Sequence, residues 1–351
     1  MSWLMRYPRL ADCYSPLMTE SAIEADRWHL DIVDMTPGTR VEGLYGLVNP
    51  QVSASRNGNP FLKCVLRDAT GRVNGRKWSV QPGLLESLTR TTFVHVSGCC
   101  ENFNDQIQVR IESIESASVE SDRLRQLLPA SDRDPETMFA ELKGILDTLA
   151  HPAARALVDA YFSDENFVRR FKQVPAAISM HHAQLGGLLE HTLSLLKAAV
   201  AVLPLHPELD RDIVLLGLLL HDAGKVLELD PERFEYTRRG NLLGHLVDGV
   251  IMLETYAARA RQAGGEPLPA DAKLALQHII ASHHGRLEHG AIKVPSTPEA
   301  VFVSRLDDLD ASTRMALDAV NRNAADVSGF TEPVRGLGDV RFYRPRPFGD
   351  L

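Results

Sequence analysis

The sequence predicts a two-part chain, an all-β barrel followed by an all-α domain, and three observations carry that prediction. From about Thr39 to Ser118, short segments rich in Val, Ile and aromatic residues are separated by turn residues. Residues 119–135, VESDRLRQLLPASDRDP, then turn polar and charged, as a linker does. From there to about residue 325 the strand signals fade and apolar residues recur at helical spacing, predicting about seven helices. The expected parts are an N-terminal extension (1–35), the barrel (36–120), a linker (121–135), the helical domain (136–330) and a tail (331–351).

A chain of 351 residues is long enough for roughly two domains of ordinary size. With 44% hydrophobic and 24% charged residues it has the composition of a globular protein. No apolar run is expected to cross a membrane, and MSWLMRYPRLADCYS lacks the apolar centre of a secretory signal, so a cytoplasmic location is expected. The four cysteines (Cys13, Cys64, Cys99, Cys100) form no CxxC pair, which argues against a disulfide framework and a thiolate zinc site.

Five segments read as strands: TRVEGLYGLV, PFLKCVLRD, GRVNGRKWSV, TTFVHVSGCC and DQIQVRIESI. The breaks between them carry turn chemistry, NGNP, DATG, QPG and NFND. A short helical piece, LLESLTR, precedes the fourth strand, and that order is the order of an OB-fold barrel. The chain has a net charge of −8, yet between Arg40 and Arg90 eight Arg or Lys face only three acids. Phe61 and Trp78 lie among these charges, with Lys63, Arg76 and Lys77 beside them. Bases stack on aromatic faces while cations follow the backbone, so this set is the candidate surface for a single strand. Phe61 and Lys63 are two apart and share a strand face.

The helical part opens with Asp134 and Pro135, an N-cap followed by proline at the first helical position. Within it, five segments bring an imidazole or carboxylate onto a face that should be apolar. His191 lies in GGLLEHTLSLL, three after Leu188 and four before Leu195. His221 and Asp222 end the run IVLLGLLL. His245 lies in NLLGHLVDGVIML, where Gly249, four residues on, leaves room beside the ring. His283 and His284 follow Ile279 and Ile280, and Asp307 and Asp310 follow Val303 and Leu306. A single buried histidine is ordinarily a hydrogen-bonded core residue. Five such segments are another matter, because each unpaired polar group in a core costs about 1–3 kcal/mol. A metal centre would satisfy them together.

A His-rich donor set with carboxylates and no thiolate suits Mn²⁺, Fe²⁺, Co²⁺ or Zn²⁺. There are more donors than one tetrahedral ion takes, which predicts two ions with Asp222 bridging them. Paired metals serve phosphate-ester hydrolysis by activating a water and stabilising the attacking and leaving oxygens. Lys225, three residues past Asp222, could neutralise a phosphate oxygen, or could be a surface lysine near a helix end.

The ordered set His191, His221-Asp222, His245, His283-His284, Asp307 resembles the HD phosphohydrolase superfamily. The segments HHAQLGGLLEHTLSLL, LLLHDAGKVLEL, GNLLGHLVDGV, ASHHGRLEHG and EAVFVSRLDDLDA resemble a narrower group, the YhaM-type 3′→5′ exoribonucleases. Those pair an N-terminal OB domain with a C-terminal HD domain, and NGNPFLKCVLRDATGRVNGRKW is similar to their OB segment. The resemblance covers roughly residues 38–330. It implies His191, His221, Asp222 and Asp307 around a first metal, with His245 and His283 or His284 at a second and Asp310 behind the ligands. Of the candidate ions Mn²⁺ is the first choice, with Co²⁺, Fe²⁺, Mg²⁺ and Zn²⁺ as alternatives. The resemblance also implies removal of nucleotides from the 3′ end of single-stranded RNA by a metal-activated water, with single-stranded DNA as a second candidate substrate. His289 stands where the family is expected to carry an aromatic residue.

Other readings stay open at this stage: an HD-type nucleotide or cyclic-dinucleotide phosphohydrolase, a non-catalytic nucleic-acid-binding protein, or a di-iron oxygenase. The tail residues Arg341, Phe342, Tyr343, Arg344, Arg346 and Phe348 mix cations and aromatics. They are expected to pack across their own domain or a neighbouring subunit of a homo-oligomer, with strand binding as the alternative.

Overall fold

The structure is a computed structural model and describes residues 29–55, 57–104, 106–119, 124–177, 184–322 and 329–343. The chain divides into two compact units, Met1–Pro129 and Ala130–Leu351.

The first unit is a closed barrel of five strands, β1 (Arg40–Ala54), β2 (Pro60–Arg67), β3 (Arg72–Trp78), β4 (Phe93–Phe103) and β5 (Gln106–Ala117). They run in the order β1-β2-β3-β5-β4, with β4 closing on β1. Only the β3–β5 pairing is parallel. Helix α1 (Leu84–Leu88) lies between β3 and β4 in sequence, so the topology is that of an OB-fold. Alternate residues fill the barrel: Leu62 and Leu66 from β2, Val94 and Val96 from β4, and Val109 from β5 are fully buried. β1 runs six residues beyond its predicted end at Val48. The pairing shifts between Val48 and Gln51, a bulge that takes in Pro50, which has no N–H to give the ladder. The one-turn α2 (Leu124–Leu127) follows the barrel.

The second unit holds nine helices among the described residues, two more than periodicity predicts. They are α3 (Pro135–Leu146), α4 (Pro152–Phe162), α5 (Glu165–Gln173), α6 (Gly187–Val202), α7 (Arg211–Leu220), α8 (Lys225–Glu228), α9 (Arg238–Gln262), α10 (Ala270–Ser282) and α11 (Pro298–Arg322). α8 is a single turn, too short for an apolar period to register. Asp134 caps α3 as expected, accepting the Thr137 N–H. A short hairpin of two-residue strands, β6 (Leu229–Asp230) and β7 (Glu235–Tyr236), separates α8 from α9.

α7 is the centre of this unit. Every residue from Ile213 to Leu220 is buried, and the helix packs against α6, α10 and α11. A helix apolar all round belongs inside a core. α6 carries the same character: Gly187–Leu205, 19 residues of mean hydropathy 1.5, is long and apolar enough by composition to cross a membrane, against the sequence expectation. Half of that stretch is buried in the helical unit, where Leu188, Leu189, Leu193, Leu195 and Leu196 are enclosed. At the end of the described chain, Phe330 and Thr331 pair with Phe342 and Tyr343, and Arg341 lies over the Phe330 ring at 5.8 Å. Arg344, Arg346 and Phe348 of the tail lie outside the described residues, as does Arg56 of the basic stretch.

Candidate metal centre

The buried helix α7 stops at Leu220, and His221 and Asp222 leave its end still enclosed, at 0% and 2% exposure. His191 comes from α6, His245 from α9, His283 and His284 from the end of α10, and Asp307 and Asp310 from α11. All of the predicted donors therefore converge.

Asp222 is at the middle of them. Its Oδ2 accepts from Lys225 Nζ at 2.7 Å and lies 3.4 Å from His221 Nε2 and 3.9 Å from His191 Nε2. Its Oδ1 lies 3.5 Å from Nε2 of both His245 and His283. The two oxygens thus face different pairs of imidazoles. Asp307 Oδ1 joins the first pair, 3.1 Å from His191 Nε2. His284 joins the second, its Nε2 3.2 Å from His245 Nε2.

The opposite ring nitrogens fix how these imidazoles are presented. His221 Nδ1 lies 2.8 Å from the Leu218 carbonyl and His283 Nδ1 3.0 Å from the Ile280 carbonyl. A carbonyl only accepts, so Nδ1 carries the proton in both rings. His191 Nδ1 lies 2.9 Å from Asp310 Oδ2, and Ser194 donates its hydroxyl to the other oxygen of Asp310 at 2.8 Å. His245 Nδ1 lies 3.1 and 3.0 Å from the two Glu228 oxygens. Four imidazoles are anchored at Nδ1 by an acceptor, and all four turn Nε2 toward one carboxylate. A neutral ring anchored this way presents a lone pair at Nε2. Lone pairs facing an anion repel unless a cation lies among them. Accordingly, His221 Nε2 and Asp222 Oδ1 are buried without a hydrogen bond. Nδ1 anchored and Nε2 turned toward a shared point is how ligating histidines are oriented, so these residues fit a divalent metal on their own geometry.

The electrostatics agree. Burial works against charge on Asp222, but the Lys225 ammonium leads the interactions that outweigh it and hold the carboxyl ionised, well below the usual carboxylate range. Burial and the neighbouring His283 and His245 push His284 down to about 3, keeping it a neutral donor. Burial pulls His191 the other way from its acids, yet Asp307 and Asp310 prevail and lift the ring to about 9. In the metal-free protein a proton on His191 Nε2 therefore stands between the ring and Asp307.

Two groups of donor atoms lie within 4.8 Å of one another here, His191-His221-Asp222 and His245-His283-His284. A third, His29-Asp31-Asp68, belongs to the barrel, where Asp68 already accepts from the N–H groups of Ile32, Thr70 and Gly71. Glu228 escapes the sequence reading although it anchors His245. The available signal is an acid between Leu227 and Leu229 in an otherwise apolar turn. Gly249 does not leave space beside His245 as expected. A Cβ there would meet Ile280 at 2.9 Å, so the glycine serves the approach of α10 to α9.

On the barrel, Phe61 pairs with Trp78 and Lys63 with Arg76 across β2 and β3, all on the outer face. The Arg76 guanidinium lies 5.0 Å from the Phe61 ring, 5.5 Å from Trp78 and 4.7 Å from Phe103, a ring not foreseen from sequence. Trp78 and Phe103 are each 44% exposed. Lys77 is not part of this group: strand alternation turns it away from Arg76, and it donates to the Glu112 carbonyl of β5.

Residues 188–312 match the HD domain family. This part of the chain is a helical HD domain, preceded by the five-stranded barrel. Solved structures similar to the chain include RecG bound to a three-way DNA junction, at 22% identity over 31% of this chain and 16% of that one, with a TM-score of 0.23. Another is the second OB-fold domain of replication protein A from Methanococcus maripaludis, at 16% identity over 26% of this chain and 98% of that one, TM-score 0.20. A third is the PriB protein from Ralstonia solanacearum, at 14% identity over 22% of this chain and 97% of that one, TM-score 0.20. The chain thus spans a small part of RecG and nearly the whole of the two smaller proteins. The barrel's identity as an OB-fold rests on its strand order.

Proposed function

We propose that the protein is a metal-dependent 3′→5′ exoribonuclease that hydrolyses phosphodiester bonds of single-stranded RNA, with single-stranded DNA as a second candidate substrate. The observation that carries the reading is the set of four Nδ1-anchored imidazoles turned on the two oxygens of Asp222. HD domains are typically metal-dependent phosphohydrolases, which supports the hydrolytic half of it. His191, His221, Asp307 and Asp222 Oδ2 would hold one divalent ion, and His245, His283, His284 and Asp222 Oδ1 the other, with Mn²⁺ the first candidate. Such a pair supplies an acidified water and charge stabilisation for a phosphoryl group. Lys225 holds Asp222 in place and adds a cation beside the position of a phosphate oxygen. Phe61, Arg76 and Trp78 offer stacking faces on the barrel while Lys63 offers a cation to the backbone. Polarity and the preference for RNA rest on the resemblance of the segments around His191, His221 and His283 to YhaM-type enzymes.

The test is a time course on 5′-labelled single-stranded RNA with Mn²⁺, beside Asp222→Ala. A ladder shortening from the 3′ end with wild type and none with the variant is the expected result. An intact strand with wild type would overturn the proposal.

A further inference from the structure

We infer that Glu228 is a positioning residue that selects the ligating tautomer of His245, and that it thereby governs metal occupancy of the His245-His283-His284 half of the centre and not of the other half. The inference rests on the metal-pair reading above.

The argument starts with the backbone. Gly244 adopts φ 74 and ψ 163 inside α9, a conformation open to glycine, and breaks the helix immediately before His245. His245 therefore starts a new helical stretch with its N–H released from the ladder. Glu228 Oε1 accepts that N–H at 3.1 Å, while both carboxylate oxygens accept from the His245 ring at Nδ1. One buried side chain, 7% exposed, thus caps the helix and anchors the imidazole. Gly240 makes the approach possible, since a Cβ there would stand 2.2 Å from the Glu228 carbonyl oxygen.

The anchors of the four rings differ in kind. His221 and His283 are held by backbone carbonyls three residues back, Leu218 and Ile280, so their tautomers are built into the helices. His191 depends on a side chain, Asp310, and His245 on another, Glu228. Each half of the centre therefore has one adjustable anchor. A carboxylate accepts from both His245 donors at once. A glutamine offers one acceptor and places an NH₂ against the other, which favours the ring with Nδ1 bare and Nε2 protonated. A protonated Nε2 cannot ligate.

Titration of the metal-free full-length chain with Mn²⁺, followed by calorimetry, tests this. Wild type is expected to take two ions. Glu228→Gln is expected to keep one and bind the other about 10–100-fold more weakly. Asp310→Asn should weaken the opposite ion, so the double variant binds both more weakly. Two ions bound unchanged by Glu228→Gln would overturn the inference and leave the metal pair standing. No ion bound by wild type would overturn the metal pair and the inference with it. Should Glu228→Gln not fold, ¹⁵N shifts of histidine-labelled wild type decide. A His245 ring protonated at Nδ1 supports the inference, and one protonated at Nε2 overturns it.

Discussion

Lys225 Nζ donates to Asp222 Oδ2 at 2.7 Å, while Oδ1 of the same carboxylate faces two imidazole nitrogens and has no hydrogen bond. The ammonium is half-buried and kept charged: desolvation disfavours its charge, and Asp222 more than restores it. Replacing Lys225 by Met keeps the stem and removes only the cation. The expected outcome is a fall in kcat of about 10²-fold, as for loss of one charge-stabilising donor, with two ions still bound. Single-turnover kinetics beside a Mn²⁺ titration would show it. Unchanged kcat would reduce Lys225 to a structural partner of Asp222.

On the barrel, Trp78→Ala and Phe61→Ala should each weaken single-stranded RNA binding by about 1–3 kcal/mol, the usual worth of a stacked base. Neither should change cleavage of a small phosphodiester that carries no strand for the barrel to hold. Lys77→Ala is the control, since that ammonium is engaged by the Glu112 carbonyl on the other side of the strand. Fluorescence anisotropy at two salt concentrations would separate stacking from charge. Equal losses for Lys77 and Trp78 would rule out the outer face as the strand's path.

Metal binding should release a proton. In the metal-free protein, burial lowers His191 but Asp307 and Asp310 raise it to about 9, so the ring is charged at neutral pH. A folded-state value above the unfolded one, taken as 6.5, makes the protonated ring stabilising below pH 6.5. That contribution is lost as pH rises through about 9. A metal must displace this proton, so apparent Mn²⁺ affinity should rise with pH up to about 9. Calorimetry at neutral pH in buffers of different ionisation enthalpy would count the proton. Heats independent of buffer would contradict the assignment.

Much of this site was legible because periodicity exposes polar residues on apolar faces. His191 between Leu188 and Leu195 and His221 after IVLLGLLL announce themselves in that way. The barrel was legible for the same reason, at a period of two. What periodicity could not show is Glu228, because a one-turn helix has no period and because its role depends on the break at Gly244. Gly249 was misread for a related reason: its small size serves Ile280 on a helix that sequence spacing does not place beside it. Phe103 was missed because its contact with Arg76 joins β4 to β3, strands that follow one another in the chain but are separated by β5 in the barrel. Local pattern finds which residues are odd, and the fold decides which of them meet.

The last prediction concerns what steadies the turn that carries Lys225 and Glu228. Arg170 of α5 donates to the carbonyls of Val226 and Leu229, on either side of Glu228, closing the end of α8. α5 is itself fixed by Asp164, which caps it through the Asn166 and Phe167 N–H groups. The other Asp164 oxygen accepts from Tyr256 at 3.0 Å and Arg259 at 2.9 Å, both on α9. Burial disfavours the Asp164 charge, but Arg259 and the cap outweigh it and lower the pKa. A lowered folded-state value means stability present above the unfolded carboxylate value of about 3.9, and lost as pH falls through the folded one. Asp164→Ala should cost about 2–4 kcal/mol at neutral pH, the sum of a helix cap and charge-assisted hydrogen bonds. Much of that gap should close in acid, where the wild-type carboxylate is protonated too. Urea unfolding of both proteins at neutral and acidic pH gives the comparison. A gap of the same size at both would mean that the carboxylate's charge is not what ties α5 to α9.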